Sequence, residues 1–381
     1  MKGHIQQRGR SSWRLKFDAG RDPATGKRKV QYVTLKGVGK RAAQTRLAEL
    51  IAAVEKGEYV EASKITVAEF VCARVDQWEA MGNISARSAQ RYRQVVKYQI
   101  VPHLGAIVLQ KLRPLDIETW HAALRTSSPV RGKRKLASRT IIQAHRVLGK
   151  ALADAMANEL IHRNVARLKP AQSTGIMDEP VIVHDVPALL KQLEGSAIRL
   201  PALLALLCGL RLGEVLALRW DCIIGKVLRV RATLEQTKAH GIRFKAPKTK
   251  AGRRDITMPD EVIEALRVYR REQLELRLRL GLGKLPDDAL LFTDVDGKPR
   301  SLSTASSQWS DFAERIGMPD VTYHMLRHSH VSMLVDAGVD IVTISKRLGH
   351  SKPDITLRVY AHLFKKDDGK AAAAINAALQ R

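Results

Sequence analysis

Cysteine is scarce in this chain. Cys72, Cys208 and Cys222 are odd in number, far apart and form no Cys-x-x-Cys pair. That spacing excludes a disulfide framework and a cysteine-based zinc site, and the three read as small buried hydrophobes in a reducing compartment. Long apolar runs are also missing. The longest, residues 200–210, falls far short of the ~20 residues that cross a bilayer, so no membrane partner is expected. The opening stretch MKGHIQQRGRSSW has no apolar core behind its basic residues, which excludes a secretory signal and leaves the cytoplasm as the expected location. There is no internal repeat, and only Ala371–Ala374 is compositionally biased.

Acidic residues are the other shortage. Against 65 Lys and Arg stand 38 Asp and Glu, a net charge of +27 over 381 residues. Such a surplus points to a polyanion, most simply nucleic acid, although ribosomal and membrane-surface proteins share the arithmetic. A composition 45% hydrophobic and 27% charged is that of a globular protein, and the length suits two or three domains. The charge is uneven: the first 178 residues carry +19 of the +27. This loading suits segments that grip phosphates, with a more balanced domain behind them.

Trp13, Leu15 and Phe17 alternate with Arg14, Lys16 and Asp18, a period of two, and Asp-Pro-Ala-Thr-Gly-Lys breaks the chain before a second strand-like run at 29–35. That predicts a hairpin, followed from Lys40 to Gly57 by a helix. The basic module so formed suits DNA binding, with Arg14 and Lys16 as candidates, and equally a passive basic cap. Thr66-x-x-Glu69 is a capping box that opens an all-helical stretch, with further helices at about 86–100, 114–124 and 139–158. Between the last two lie Arg131, Lys133, Arg134 and Lys135, which read as a phosphate-touching loop or as a solvated charge run. Pattern stops around Pro170-Ala-Gln-Ser-Thr-Gly, a linker. Beyond it come apolar helices (186–193, 200–208), three strand-like runs (227–234, 242–246, 254–258) and helices at 261–280 and 303–316. The predicted class is α+β, mostly α with small β-sheets.

Four stretches collect residue types that packing does not call for. They are Cys208-Gly-Leu-Arg-Leu-Gly-Glu, the basic turn 245–254, Tyr323-His-Met-Leu-Arg-His-Ser-His, and Leu348-Gly-His with Tyr360 ten residues after His350. His324 and Arg327 stand three apart and share a helical face. Taken singly, Arg211 could simply pair with Glu214, and Tyr360 could be a half-buried core tyrosine. The histidines 324, 328 and 330 do not suggest a metal, since no carboxylate or cysteine completes a ligand set and neighbouring arginines oppose a dication.

Together, the His-x-x-Arg box, the Leu-Gly-His box and the tyrosine that follows closely resemble the tyrosine recombinase family, in particular phage-type integrases. The resemblance implies a site-specific DNA recombinase that exchanges strands between two duplexes as a homotetramer, through a 3′-phosphotyrosyl intermediate and with no cofactor or metal. Tyr360 then matches the nucleophile, Arg211 and Arg327 the two arginines that clamp the phosphate, and His324 and His350 the accompanying hydrogen-bonding groups. Glu214 resembles the acidic residue that braces the first box. The general acid in the family is a lysine on a β-hairpin turn, which selects Lys248, with Lys245 and Lys250 as rivals. His328, His330 and His362 are expected to be structural or supporting.

The resemblance further implies an arm-type DNA-binding domain (1–60), a helical core-binding domain (61–172) and a catalytic domain (176–381). The last ends in a tail helix that docks in cis or on a neighbouring protomer. Implied partners are double-stranded DNA with core-type and arm-type sites, a DNA-bending host factor and an excisionase, in a bacterial host carrying a phage or other mobile element. Two rivals stay open: a type IB-like topoisomerase that nicks and reseals one duplex, and a non-catalytic DNA-binding regulator of the same fold.

Overall fold

The alternation in the first segment becomes a sheet. In the computed structural model, which describes residues 3–21, 26–56, 59–126, 135–171, 181–247, 249–294, 296–361 and 368–379, the chain forms two compact units, Met1–Gly175 and Ile176–Arg381. Strands β1 (Gly3–Gly9), β2 (Ser12–Arg21) and β3 (Arg28–Lys36) lie antiparallel in that order. Trp13, Leu15 and Phe17 point to one face and are buried under helix α1 (Lys40–Glu55), which contributes Ala43 and Leu50. Arg14 and Lys16 point to the other face, as a period of two requires. The β2–β3 pair is the expected hairpin. Strand β1 carries no such signal, because it is an exposed edge strand on which only Ile5 is even partly buried, and so it has no reason to alternate.

The segment after α1 folds back on the sheet. The Tyr59 ring meets Phe17 edge-on, and the Glu61 carboxylate accepts from Lys29 at 2.6 Å and Gln31 at 2.9 Å. Helices α2 (Val67–Ala80), α3 (Ala86–Val95), α4 (Val101–Leu104), α5 (Pro114–Thr126), α6 (Ser138–Ala157) and α7 (Val165–Leu168) then close round a core that includes Trp78, Trp120 and Leu148. The Thr66–Glu69 capping box is formed: the Thr66 amide donates to the Glu69 carboxylate at 2.8 Å, and the Glu69 amide donates to Thr66 Oγ1 at 3.2 Å. The helix expected at 86–100 runs on to Leu104 through a single π-helical turn, Val96–Ile100. Pro102, which has no N–H to donate, lies just after the π turn at the start of α4.

In the second unit α8 (Val186–Gln192) and α9 (Arg199–Cys208) precede the short helix α10 (Leu212–Val215). Among the described residues five strands follow: β4 (Ile223–Ile224), β5 (Val227–Val230), β6 (Thr233–Thr237), β7 (Gly241–Lys245) and β8 (Arg254–Thr257). The single strand expected at 227–234 is in fact two, in different sheets: β5 lies between β4 and β8, while β6 pairs with β7. The break comes at Arg231, whose guanidinium donates to the carbonyls of Val230 and Arg254, both at 3.1 Å, and so ends the run. The basic stretch 245–254 therefore connects strands of separate sheets and is not a hairpin turn.

Helices α11 (Asp260–Arg279), α12 (Leu302–Arg315), α13 (Tyr323–Asp336), α14 (Ile341–Leu348), α15 (Pro353–Tyr360) and α16 (Asp368–Leu379) complete the chain. Helix α9 is apolar on nearly every side because it is enclosed by two core clusters, one shared with the strands and α11, the other with α8, α12 and α13. Among the described residues no helix is long and apolar enough to cross a membrane.

Candidate active site

Two helix ends set the geometry. Helix α9 stops at Gly209 (φ 68°) and α14 at Gly349 (φ 69°), both left-handed, a conformation that a side chain disfavours. Neither could carry a side chain for a second reason. A Cβ on Gly209 would meet His330 Cδ2 at 2.6 Å, and one on Gly349 would meet the Ala251 carbonyl oxygen and Arg254 Nη1, each at 2.9 Å. The glycines thus let Arg211 turn into α10 and bring His350 beside α13. Gly349→Ala is expected to cost about 1–2 kcal/mol for the left-handed backbone alone, more with the clash, and a denaturant midpoint equal to wild type would contradict this.

At the centre is Glu214, 4% exposed. Its carboxylate accepts from Arg254 at 2.8 and 3.2 Å, from Arg211 Nη1 at 2.9 Å and from the Arg211 amide at 3.0 Å, and Arg327 Nη1 lies 4.0 Å away. Burial alone would raise its pKa, but the bond and charge of Arg254, then the charge of Arg211, hold it down to about 2. One carboxylate thus organises three arginines. The Arg211 side chain keeps 40% of its surface open to solvent. Arg327 is buried on α13, where Nη1 donates to the Gly209 carbonyl and Nη2 to the Leu348 carbonyl at 2.7 Å and to His350 Nε2 at 3.1 Å. Burial, and then the charge of Arg211, lowers Arg327 to about 9, so it stays protonated at neutral pH.

A guanidinium only donates, so His350 Nε2 is the acceptor of that bond and the proton of the neutral ring sits on Nδ1, 2.8 Å from Thr356 Oγ1. Burial and the surrounding arginines lower His350 to about 4. His324 stands one helical turn from His328, their rings nearly perpendicular with centroids 4.9 Å apart, and burial followed by Arg327 lowers its pKa. Tyr360, the last residue of α15, is buried, and its hydroxyl is hydrogen-bonded to His328 Nδ1. The structure therefore brings Arg211, Glu214, Arg327 and His350 into one network, with Tyr360 and His324 flanking it through His328.

The remaining candidates fall elsewhere. Lys248 lies outside the described residues. Lys245 is paired with Glu235 on the neighbouring strand, whereas Lys250 is exposed in a short turn whose next residue, Ala251, approaches Gly349. Pro247 packs on Gly252 and closes this loop, since a Cβ on Gly252 would come within 2.5 Å of Pro247 Cβ. Arg14 and Lys16 lie over the Tyr32 ring, 4.3 and 5.9 Å from its centroid, on the open face of the three-stranded sheet. Lys135 is exposed; Arg131, Lys133, Arg134 and His362 lie outside the described residues.

Two arginines of the network were not among the candidates. Arg254 is the strongest partner of Glu214, and its Nε donates to the Arg347 carbonyl at 2.6 Å. Arg347 in turn donates to His330 Nε2 at 3.1 Å, and His330, which also bonds the Leu206 carbonyl, is a buried structural histidine. A signal for Arg254 was present: it occupies the same inward face of β8 as Ile256, where an arginine needs a buried acceptor. Among the described residues no group of three His, Cys, Asp or Glu side chains could hold a metal ion.

Residues 182–367 match the phage integrase family, and residues 73–125 match the phage integrase N-terminal SAM-like domain. The first match places the second unit in the phage integrase family, the tyrosine recombinases, and the second places part of the helical stretch in the SAM-like domain of phage integrases. It is an enzyme, a DNA strand transferase of the tyrosine type. An integrase of Streptomyces ambofaciens is 29% identical over 92% of this chain and 89% of its own. A tyrosine recombinase XerC-like protein of Caldanaerobacter subterraneus subsp. tengcongensis is 25% identical over 98% of both. In fold, the chain is similar to the Tn1549 transposon integrase in complex with transposon right end DNA (TM-score 0.66, 20% identity, 82% of this chain and 99% of that one). It is also similar to a lambda integrase tetramer bound to a Holliday junction (TM-score 0.52, 18% identity, 92% and 96%).

Proposed function

We propose that this recombinase cleaves DNA by attack of Tyr360 on the scissile phosphodiester, leaving a 3′-phosphotyrosyl bond and a free 5′-hydroxyl, and that it exchanges strands between two duplexes as a tetramer. The observation that carries this reading is the Glu214 carboxylate, which holds Arg211 and Arg327 together while Arg327 reaches His350, in the same chain that supplies Tyr360. Two fixed guanidinium groups hold the non-bridging oxygens, where charge grows in the transition state. The covalent intermediate keeps the energy of the broken bond, so rejoining needs no cofactor. A 5′-alkoxide leaves only with a proton, which a lysine on the 245–250 loop supplies. The pairing of Lys245 with Glu235 favours Lys248 or Lys250.

The basic open face of the N-terminal sheet, residues 1–60, suits arm-type DNA, and the helical residues 61–172 suit the core site. A DNA-bending host factor and an excisionase fit the same scheme, in the cytoplasm of a bacterial host. The exposed Ile375 and Leu379 of α16 suit docking on a neighbouring protomer. If residues 1–60 hold phosphates, deleting them lowers the slope of log affinity against log salt on a long site by about 0.9 for each phosphate released, and an unchanged slope would remove the arm-binding role. Incubation of two duplexes bearing a site selected by binding is expected to give joined molecules. Relaxation or nicking of one duplex without joining would favour the topoisomerase reading instead.

A further inference from the structure

Tyr360 is 3% exposed in a pocket formed with Val331, Val335, Ile344 and Leu348. Burial pushes its phenol well above the usual tyrosine range. A phenol so placed attacks a phosphate only if a neighbour takes its proton as the new bond forms. Arginine and lysine cations do not accept protons. The Glu214 carboxylate is engaged by Arg211 and Arg254, and His350 has one ring nitrogen on Arg327 and the other on Thr356. Among the described residues, the group hydrogen-bonded to the Tyr360 hydroxyl is His328 Nδ1, with ring centroids 5.5 Å apart.

On the reading that Tyr360 is the nucleophile, we propose that His328 is a catalytic residue, the base that holds the Tyr360 hydroxyl through Nδ1 and takes its proton during attack. The Tyr360 O–H bond breaks and the proton passes to His328 Nδ1 while Oη bonds to phosphorus. The bond from phosphorus to the 5′-oxygen breaks, and that oxygen receives its proton from the lysine of the 245–250 loop. In rejoining, the 5′-hydroxyl gives its proton to that lysine as its oxygen bonds to phosphorus, the bond from phosphorus to Tyr360 Oη breaks, and His328 returns the proton to Oη. Among the described residues, the groups facing His328 are His324 and Arg327 on α13 and Tyr360 on α15. Burial, His324 and Arg327 keep the imidazole neutral and able to accept, and the negative charge of the arriving phosphate offsets Arg327 and raises its proton affinity.

The test measures single-turnover formation of the SDS-resistant adduct on a nicked duplex, with either a normal or a sulfur-substituted 5′-bridging position, for wild type, Tyr360→Phe, His328→Ala and His328→Asn. Both His328 variants are expected to bind DNA as wild type does, which shows that they fold, and to cleave about 10²–10³-fold more slowly. Asparagine can accept the hydrogen bond but cannot keep the proton, so it does not restore the rate. Added imidazole partly rescues His328→Ala, whereas the sulfur leaving group, which needs no acid, does not. Cleavage by His328→Asn at the wild-type rate would reduce His328 to a hydrogen-bond acceptor and overturn the proposal, as would rescue by sulfur, which would place the defect at the leaving group. Adduct formation by Tyr360→Phe would overturn the assignment of the nucleophile itself, an outcome distinct from both.

Discussion

Tyr360→Phe is expected to bind its DNA site with wild-type affinity and to form no SDS-resistant adduct, a drop of about 10⁴-fold or more in cleavage. Phenylalanine fills the same apolar pocket, so the packing against Val331 and Leu348 survives. What goes is the hydroxyl. Its removal leaves His328 Nδ1 without that bond, at a cost of about 1–2 kcal/mol in stability. A nicked duplex traps the covalent product, because the short released strand diffuses away and cannot rejoin, and gel mobility after SDS treatment reads it. An adduct of undiminished yield would remove Tyr360 from the chemistry, whereas absence of an adduct from wild type at every nick position would favour the non-catalytic regulator.

Glu214→Gln is expected to be the most destabilising single change in the second unit. The amide keeps the shape and loses the charge, so Arg254 and Arg327 remain buried close together with no counterion. Breaking a buried ion pair in this way costs about 3–5 kcal/mol, which corresponds to a melting temperature lower by about 10 °C. The same carboxylate gives the stability a pH dependence with a definite sign. Its folded pKa of about 2 lies below the ordinary 4.5, so the stabilisation is fully present above pH 4.5 and is lost as the pH falls from there towards 2. That part of the acid dependence amounts to about 3 kcal/mol in wild type and should be missing from the variant. Melting curves between pH 7 and 3 measure both effects. Equal midpoints for the two proteins at pH 7 would mean that the arginines do not depend on this carboxylate.

The candidate residues that the structure brings together were legible because few sequences place arginine between two glycines, histidine three before arginine, and the histidine of Leu-Gly-His ten before tyrosine. The helices were legible as well, since capping residues and apolar spacing are local properties, as at Thr66–Glu69 and along α6. Strand β1 and the division of residues 227–234 between two sheets were not. Pairing is a relation between distant segments, and neither an exposed edge nor a guanidinium that ends a ladder leaves a periodic trace.

The sequence by itself therefore determined the mostly helical class, the basic loading of the first half, and which side chains gather at the two left-handed glycines. The tertiary structure alone decided who meets whom. Arg254 reaches Glu214 across 40 positions, Arg347 joins His330 to that network, and His328, expected only to support its neighbours, lies on the Tyr360 hydroxyl. The reason is physical. A buried charge or phenol is satisfied by whichever partner the packed chain delivers, and that partner is fixed by how α9, α13, α14 and β8 pack together.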